Sequence, residues 1–189
     1  MKEVFEIGLN LIRKIEETQS ENLEASGILI AHAFMNGHQF FVSGSGHSHT
    51  VTEEFYGRAG GLAFVKPILT SELTLTEHPT KSSYLERLNG YASILAELYH
   101  ISKDDVVLIA SNSGRNAYPV ELAIESKKRG AKVIAITNIN HSRQVTSRHE
   151  SGLLLKDVAD IVIDNCGVIG DSALQLEGMN AGMCPTSSM

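Results

Sequence analysis

The chain reads as an α/β protein built on a doubly wound parallel sheet with helices on both faces, three layers deep. Three observations carry that prediction. The strand-like segments are short apolar runs without alternation, such as Val106-Val107-Leu108-Ile109, the pattern of strands buried on both faces. These runs alternate with segments of helical period, which gives βαβ order and right-handed crossovers. Two of them end in Gly/Ser turns, Ser43-Gly44-Ser45-Gly46-His47-Ser48 and Ala110-Ser111-Asn112-Ser113-Gly114-Arg115-Asn116, and in such sheets ligands bind beyond the C-terminal strand ends.

The elements follow in order. Val4, Ile7, Leu11 and Ile15 recur at helical spacing. A second helix is expected from the Thr18-x-x-Glu21 box to the Asn36-Gly37 stop, so two helices precede the first strand, residues 39–43. A helix over 50–58 and a short strand over 62–68 come next. Residues 70–81 are polar and mixed and read as loop. Ser83-x-x-Glu86 boxes the start of a helix that puts Leu88, Ala92, Leu95 and Leu98 on one face. The second half is cleaner: strand 106–110, helix 118–129, strand 132–137, short helix 142–149 and strand 160–164. Lys127-Lys128-Arg129 ahead of Gly130 caps a helix C-terminus. Beyond Asp164 the chain is Gly-rich, and Pro185-Thr186-Ser187-Ser188 resembles the opening of a helix. The expectation is one domain over 1–189 that lacks a C-terminal helix.

Composition narrows the function classes. A net charge of −6 over 189 residues and a pI near 5.7 argue against nucleic acid or an anionic membrane as partner. No apolar run nears the roughly 20 residues that span a bilayer, and the start of the chain has no signal-peptide apolar block. Two cysteines, Cys166 and Cys184, make neither a disulfide framework nor a CxxC pair. A reduced, cytoplasmic setting is expected.

The turn from Ser111 to Asn116 has the chemistry of an anion site. Unpaired amides at a helix N-terminus carry partial positive charge, Ser hydroxyls add donors that swivel, and Gly permits close backbone approach. It is neither a GxGxxG nor a GxxxxGK[ST] loop, so neither a dinucleotide nor an ATP-type site follows.

These residues resemble a known family. Gly44-x-Gly46-x-Ser48 after one strand, Ser111-x-Ser113-Gly114-x-Asn116 after a later one, and Ala135-Ile136-Thr137-Asn138 followed by Ser142 are similar to the sugar isomerase (SIS) domain over most of residues 1–165. The likeness is to its phosphosugar-binding branch, near phosphoheptose isomerase and N-acetylmuramic acid 6-phosphate etherase. Gly46-His47-Ser48, Glu53-Glu54 and Arg58-Ala59-Gly60-Gly61-Leu62 look more like an uncharacterised SIS group. The resemblance implies a flavodoxin-like five-stranded sheet, a homodimer or homotetramer, and a sugar phosphate held by Ser48, Ser111, Ser113 and Asn116, with Ser45, Asn112 and Gly114 in the same two turns. Asn116 departs from the Thr or Ser of many members; it still caps the helix, with Pro119 in the first turn where its missing N–H costs nothing.

Three activities fit. The first is a sugar-phosphate isomerase acting through an enediol, with Glu53 or Glu54 as base and His47 as partner acid. The second is a phosphosugar ether lyase using the same carboxylate, and the third a non-catalytic phosphosugar sensor. Adjacent helical residues point about 100° apart, so at most one of Glu53 and Glu54 is expected to face the ligand; the reading favoured pairs Glu54 with Arg58 at i+4 and turns Glu53 inward. No organic cofactor is expected, since the substrate carbonyl acidifies its own α-proton. No metal is expected either: His47-x-His49 is too sparse and no HExxH occurs. His47 suits a sugar hydroxyl or a proton relay, and His78 is a second candidate. His141 and His149 read as surface residues, Cys166 as structural, and Asp171 and Glu177 as an acidic loop.

Overall fold

Five strands, β1 (Phe40–Gly44), β2 (Val65–Ile68), β3 (Val106–Ala110), β4 (Lys132–Thr137) and β5 (Ile161–Asp164), form one sheet in the order β2-β1-β3-β4-β5. Every pairing is parallel. The structure is a computed structural model that describes residues 2–76, 78 and 80–189. The order reverses between β1 and β3, and this switch point is where Gly44 pairs with Ala110. Both Gly/Ser turns therefore leave the sheet side by side.

The strands lack alternation because each supplies two cores. Phe41, Val107, Ile109, Val133 and Ala135 pack on one face with Tyr118 and Leu122. Phe40, Val42, Val106, Leu108 and Ile134 pack on the other with Ala33. The helices are α1 (Lys2–Met35), α2 (His49–Phe55), α3 (Lys81–Leu85), α4 (Tyr91–Leu98), α5 (Ala117–Lys128), α6 (Ile139–Ser142) and α7 (Leu155–Val158). The last turn of α5 is basic, as its sequence predicts, with Lys127 2.7 Å from Asp160.

Three expectations need correction. The two N-terminal helices are one, a 34-residue α1 about 51 Å long. Thr18 does not cap: its hydroxyl back-bonds to the Lys14 carbonyl at 2.7 Å, the alternative a mid-helix Thr adopts. The helix expected from Ser83 is two short ones. Gly90, at φ +92°, breaks them, and Glu121 of α5 caps α4 by accepting from the amides of Gly90 and Ala92. Leu88 and Leu98 are consequently exposed while Ala92 and Leu95 are buried. The short helix expected over 142–149 is α6, which ends at Ser142. Of the segment 70–81, read as loop, residues 77 and 79 lie outside the described residues; Ser71–Leu73 is a 3-10 turn.

Only Gln19, Ser26 and Ala33 of α1 are buried. The Asp164 amide donates to Gln19 and the Asn22 side chain to the Val162 carbonyl, which hooks the helix to β5. Phe5 and Ile12 stay more than 60% exposed. An apolar cleft of about 540 Å³ opens between α1, α2 and the sheet, lined by Leu23, Ile30, Phe34, Phe55, Phe64 and Ile163 among others. Among the described residues no helix is long and apolar enough to cross a membrane.

After β5 the chain runs without long elements to a 3-10 turn, Thr186–Ser188. Asp171 ties this turn back, accepting from the Thr186 hydroxyl (3.1 Å) and the Ser187 amide (2.8 Å). The acidic loop residue thus has a structural task. Cys166, read as structural, is buried at φ +56° with Sγ 3.6 Å from the Thr18 hydroxyl.

Candidate functional site

β1 ends at Gly44 because the next turn folds back over it. A Cβ there would collide with the Ser48 carbonyl. The 3-10 turn Gly46–Ser48 then leads into α2. Across the switch point, β3 runs into Ser111. Gly114 takes φ +61°, and an added Cβ would lie 3.2 Å from both Leu155 and Thr137 side chains. Glycine is required at both turns for distinct reasons, contact at one and conformation at the other.

The two turns enclose a cleft of about 430 Å³. Ser45, Gly46, His47 and Ser48 line one side, Ser111, Asn112, Ser113 and Asn116 another, and Ser82, Ser83 and Glu86 a third. The Ser111 side chain accepts from the Gly114 amide at 3.2 Å, which orders the loop. Among the described residues the amides of Asn112 and Ser113 and the hydroxyls of Ser48 and Ser113 have no acceptor in the protein. They are the free donors an anion site needs.

Glu86 lines the cleft and was not singled out from the sequence. It occupies the C-cap of α3, and its carbonyl accepts from the Tyr118 amide at 2.9 Å. Its carboxylate accepts from the Ser45 hydroxyl at 2.9 Å and the Asn116 amide at 2.7 Å. Burial raises its pKa above the ordinary carboxylate value, and the Ser45 hydrogen bond and the charges of Arg87 and Arg148 only partly oppose the shift. The signal was present in Ser83-x-x-Glu86, where a capping reading absorbed the carboxylate.

The expected ligand residues separate accordingly. Ser48, Ser111, Asn112 and Ser113 face the cleft as read from sequence. Ser45 and Asn116 also line it, but their polar atoms serve Glu86. Asn116 holds the N-cap position of α5 without the expected side-chain cap; its amide instead bonds Glu86 and accepts from Arg148 at 2.8 Å. Pro119 lies in the first turn of α5 as expected.

Neither Glu53 nor Glu54 lines the cleft. Glu54 pairs with Arg58, as its i+4 spacing predicts. Glu53 does not turn inward: it is 55% exposed and lies 3.3 Å from His49 Nε2. α2 has only seven residues, and its buried face is taken by His49 and Thr52. His47 borders the cleft and is exposed. His78 is exposed and bonds Thr80 instead. His141 and His149 bond Gly170 and Ser151 locally and do not line the cleft. No group of His, Cys, Asp and Glu suited to a metal occurs among the described residues.

A parallel sheet of order 2-1-3-4-5 with a hydroxyl-rich strand–helix loop at its switch point defines a doubly wound α/β class whose ligands bind at that end of the sheet. Comparison with known proteins makes this specific. The SIS domain matches residues 5–138, and the chain belongs to that family. It is 49% identical to a UPF0309 protein of Halalkalibacterium halodurans over 166 residues, 88% of this chain and 69% of that one. It is 46% identical to a UPF0309 protein of Thermoanaerobacter pseudethanolicus, over 88% of this chain and 68% of that one. Among solved structures, phosphoheptose isomerases share the fold. The Neisseria gonorrhoeae enzyme gives a TM-score of 0.63 at 18% identity over 85% of this chain and 81% of its own. The Francisella tularensis enzyme gives 0.60 at 18% identity over 86% and 82%.

Proposed function

We propose that this protein binds a sugar phosphate and removes the proton α to its carbonyl, with Glu86 as base. For a 2-hydroxy sugar the product of that step is an enediol, and return of the proton to the neighbouring carbon completes an aldose–ketose isomerisation. The observation that carries the reading is one carboxylate of raised pKa facing a loop of unpaired donors across a single cleft. A base must be unprotonated yet willing to accept a proton near neutral pH, and burial moves a carboxylate in that direction. Ser48, Ser111 and Ser113 with the Asn112 and Ser113 amides hold the phosphoryl oxygens. His47, at the rim, serves as partner acid. The phosphoheptose isomerases that share the fold support the substrate class.

Glu86 replaces Glu53 and Glu54 in the role expected from sequence, because those two point away from the cleft. The same first step on a sugar with a leaving group at C3 ends in elimination, so lyase and isomerase differ by substrate and not by base. The exposed apolar residues of α1 support a homo-oligomer.

The test is deuterium exchange. Incubation with aldose 6-phosphates in deuterated water should label C2, detected by NMR, and inorganic phosphate should compete. A protein that binds these sugars without labelling any of them is a sensor and not an enzyme.

A further inference from the structure

Asn116 stands between two groups of opposite hydrogen-bonding character. On one side its NH₂ donates to Glu86 Oε1 at 2.7 Å. On the other its carbonyl accepts from Arg148 Nη1 at 2.8 Å. A carboxylate can only accept and a guanidinium can only donate. The Asn116 amide therefore has one orientation that satisfies both neighbours. Turned over, it would set a carbonyl against the Glu86 carboxylate and an NH₂ against the guanidinium. Arg148 thus decides which end of Asn116 meets Glu86.

That choice reaches the chemistry. The Asn116 NH₂ is a donor only, so Oε1 keeps its bond as an acceptor. Ser45 bonds the other oxygen, Oε2, at 2.9 Å, and a hydroxyl turns from donor to acceptor by rotation. Oε2 is the oxygen on which Glu86 can hold a proton with both bonds kept.

Arg148 is fixed in place for this task. It belongs to the segment after α6, which is pinned to the end of the anion loop at three points. The Arg148 amide donates to the Arg115 carbonyl at 2.7 Å and the Leu155 amide to the Gly114 carbonyl at 2.8 Å. The Arg115 side chain returns the contact, its Nε donating to the Thr146 carbonyl at 2.9 Å. Arg148 itself does not line the cleft. Its charge and that of the exposed Arg87 hold down a carboxyl that burial pushes up. Ser45 and Asn116, which reach Glu86 from other elements, are neutral, and His47 borders the same cleft. Of the two arginines only Arg148 adds a hydrogen bond to its charge.

We propose that Arg148 is a positioning residue for the Glu86 base, acting through Asn116. The proposal rests on the reading of Glu86 as base and adds what keeps that base aligned. Without the guanidinium, Asn116 is free to turn over, and the carboxylate loses an oriented donor and a nearby positive charge together.

The test is C2 deuteration of an aldose 6-phosphate by the whole chain, followed by NMR across pH, in wild type, Arg148→Met, Arg148→Lys and Arg143→Met. Arg143 is an exposed arginine at the end of α6 and controls for the loss of a charge alone. In Arg148→Met the plateau rate should fall about 10- to 100-fold, the cost of a misplaced reacting group, with most of the loss in turnover and little in KM. The acid limb of the profile should move up by roughly half a pH unit or more, because a positive charge that favours the carboxylate is gone. Arg148→Lys keeps the charge and a donor and should regain the limb and much of the rate. Arg143→Met should match wild type. Arg148→Gln, uncharged with a polar tip, replaces Arg148→Met if thermal melts show that variant unfolded, and should show the same limb shift. A lowered Tm with rate and limb unchanged makes Arg148 a structural strut and overturns the proposal, as does an equal loss in Arg143→Met; both leave the base reading standing. Labelling that survives Glu86→Gln, or no labelling by wild type, overturns the base reading and this proposal with it.

Discussion

Replacing Glu86 by Gln removes one charge and almost no volume, which makes it the sharpest perturbation of the site. The two hydrogen bonds to the carboxylate fall on different oxygens, Ser45 on Oε2 at 2.9 Å and Asn116 on Oε1 at 2.7 Å; in Gln the amide oxygen keeps the bond from Asn116 and the NH₂ donates to the Ser45 hydroxyl instead. Hydrogen bonds to charged groups contribute about 1.5–3 kcal/mol and neutral ones about 0.5–1.5, so the two together weaken by roughly 2 kcal/mol. Relief of the desolvation that raises the pKa offsets part of this. Net destabilisation should therefore stay near 1 kcal/mol, whereas C2 deuteration should fall by about 10²–10⁴, the usual contribution of a positioned base. The pH dependence has a defined sign. Glu86 binds its proton more readily folded than unfolded, so its contribution to stability declines as pH rises from the ordinary value of 4.5 through the raised one. Urea unfolding of wild type and Glu86→Gln across that window should show wild type losing ground to the variant as pH rises. Exchange unchanged in Glu86→Gln but abolished in Glu53→Gln or Glu54→Gln would refute the reasoning and return the base to α2.

Three other outcomes are expected. Gly44→Ala forces a Cβ onto the Ser48 carbonyl and should cost about 1–3 kcal/mol or more in denaturant unfolding, the range for overpacking. Asp160 accepts from Lys127 and from the Val133 amide, and these bonds outweigh burial and hold its pKa below 3.8. Its contribution is present above pH 3.8 and lost as pH falls through the folded value, so Asp160→Asn should cost about 1 kcal/mol near neutrality and less in acid, read from thermal melts. Ser111→Ala with Ser113→Ala should weaken sugar-phosphate binding by roughly tenfold or more, at a stability cost of about 1 kcal/mol from the lost Gly114 amide bond to Ser111; unchanged affinity would remove the phosphate from that loop.

The sheet was legible in the sequence because burial on both faces erases alternation, and Val106–Ala110 is such a run. The two turns were legible because runs of Gly and Ser at a strand end mark a chain that turns tightly into a helix, and both turns line one cleft. Errors arose where one local motif serves two purposes. Thr18-x-x-Glu21 has the spacing of a helix start, but the hydrophobic repeat continues through it and Thr18 back-bonds instead. Ser83-x-x-Glu86 has the same spacing, and the structure spends Glu86 on Ser45 and Asn116, 41 and 30 residues away. No local pattern encodes those partners. Gly90 was the available clue, since a glycine in left-handed conformation splits the segment and frees Glu86 from a helical face.

The break between α3 and α4 joins the two sides of the cleft in one mechanical part. Glu86 grips the start of α5 twice, through its carbonyl on Tyr118 and its carboxylate on Asn116, and α5 begins where the anion loop ends. Any shift of that loop drags the carboxylate with it. Substitutions at 111–116 should consequently change affinity and turnover together, with coupling to Glu86 that fails additivity. The cleft is in this sense a single inheritable unit: residues 111–116 cannot drift in sequence without moving the Glu86 carboxylate that faces them.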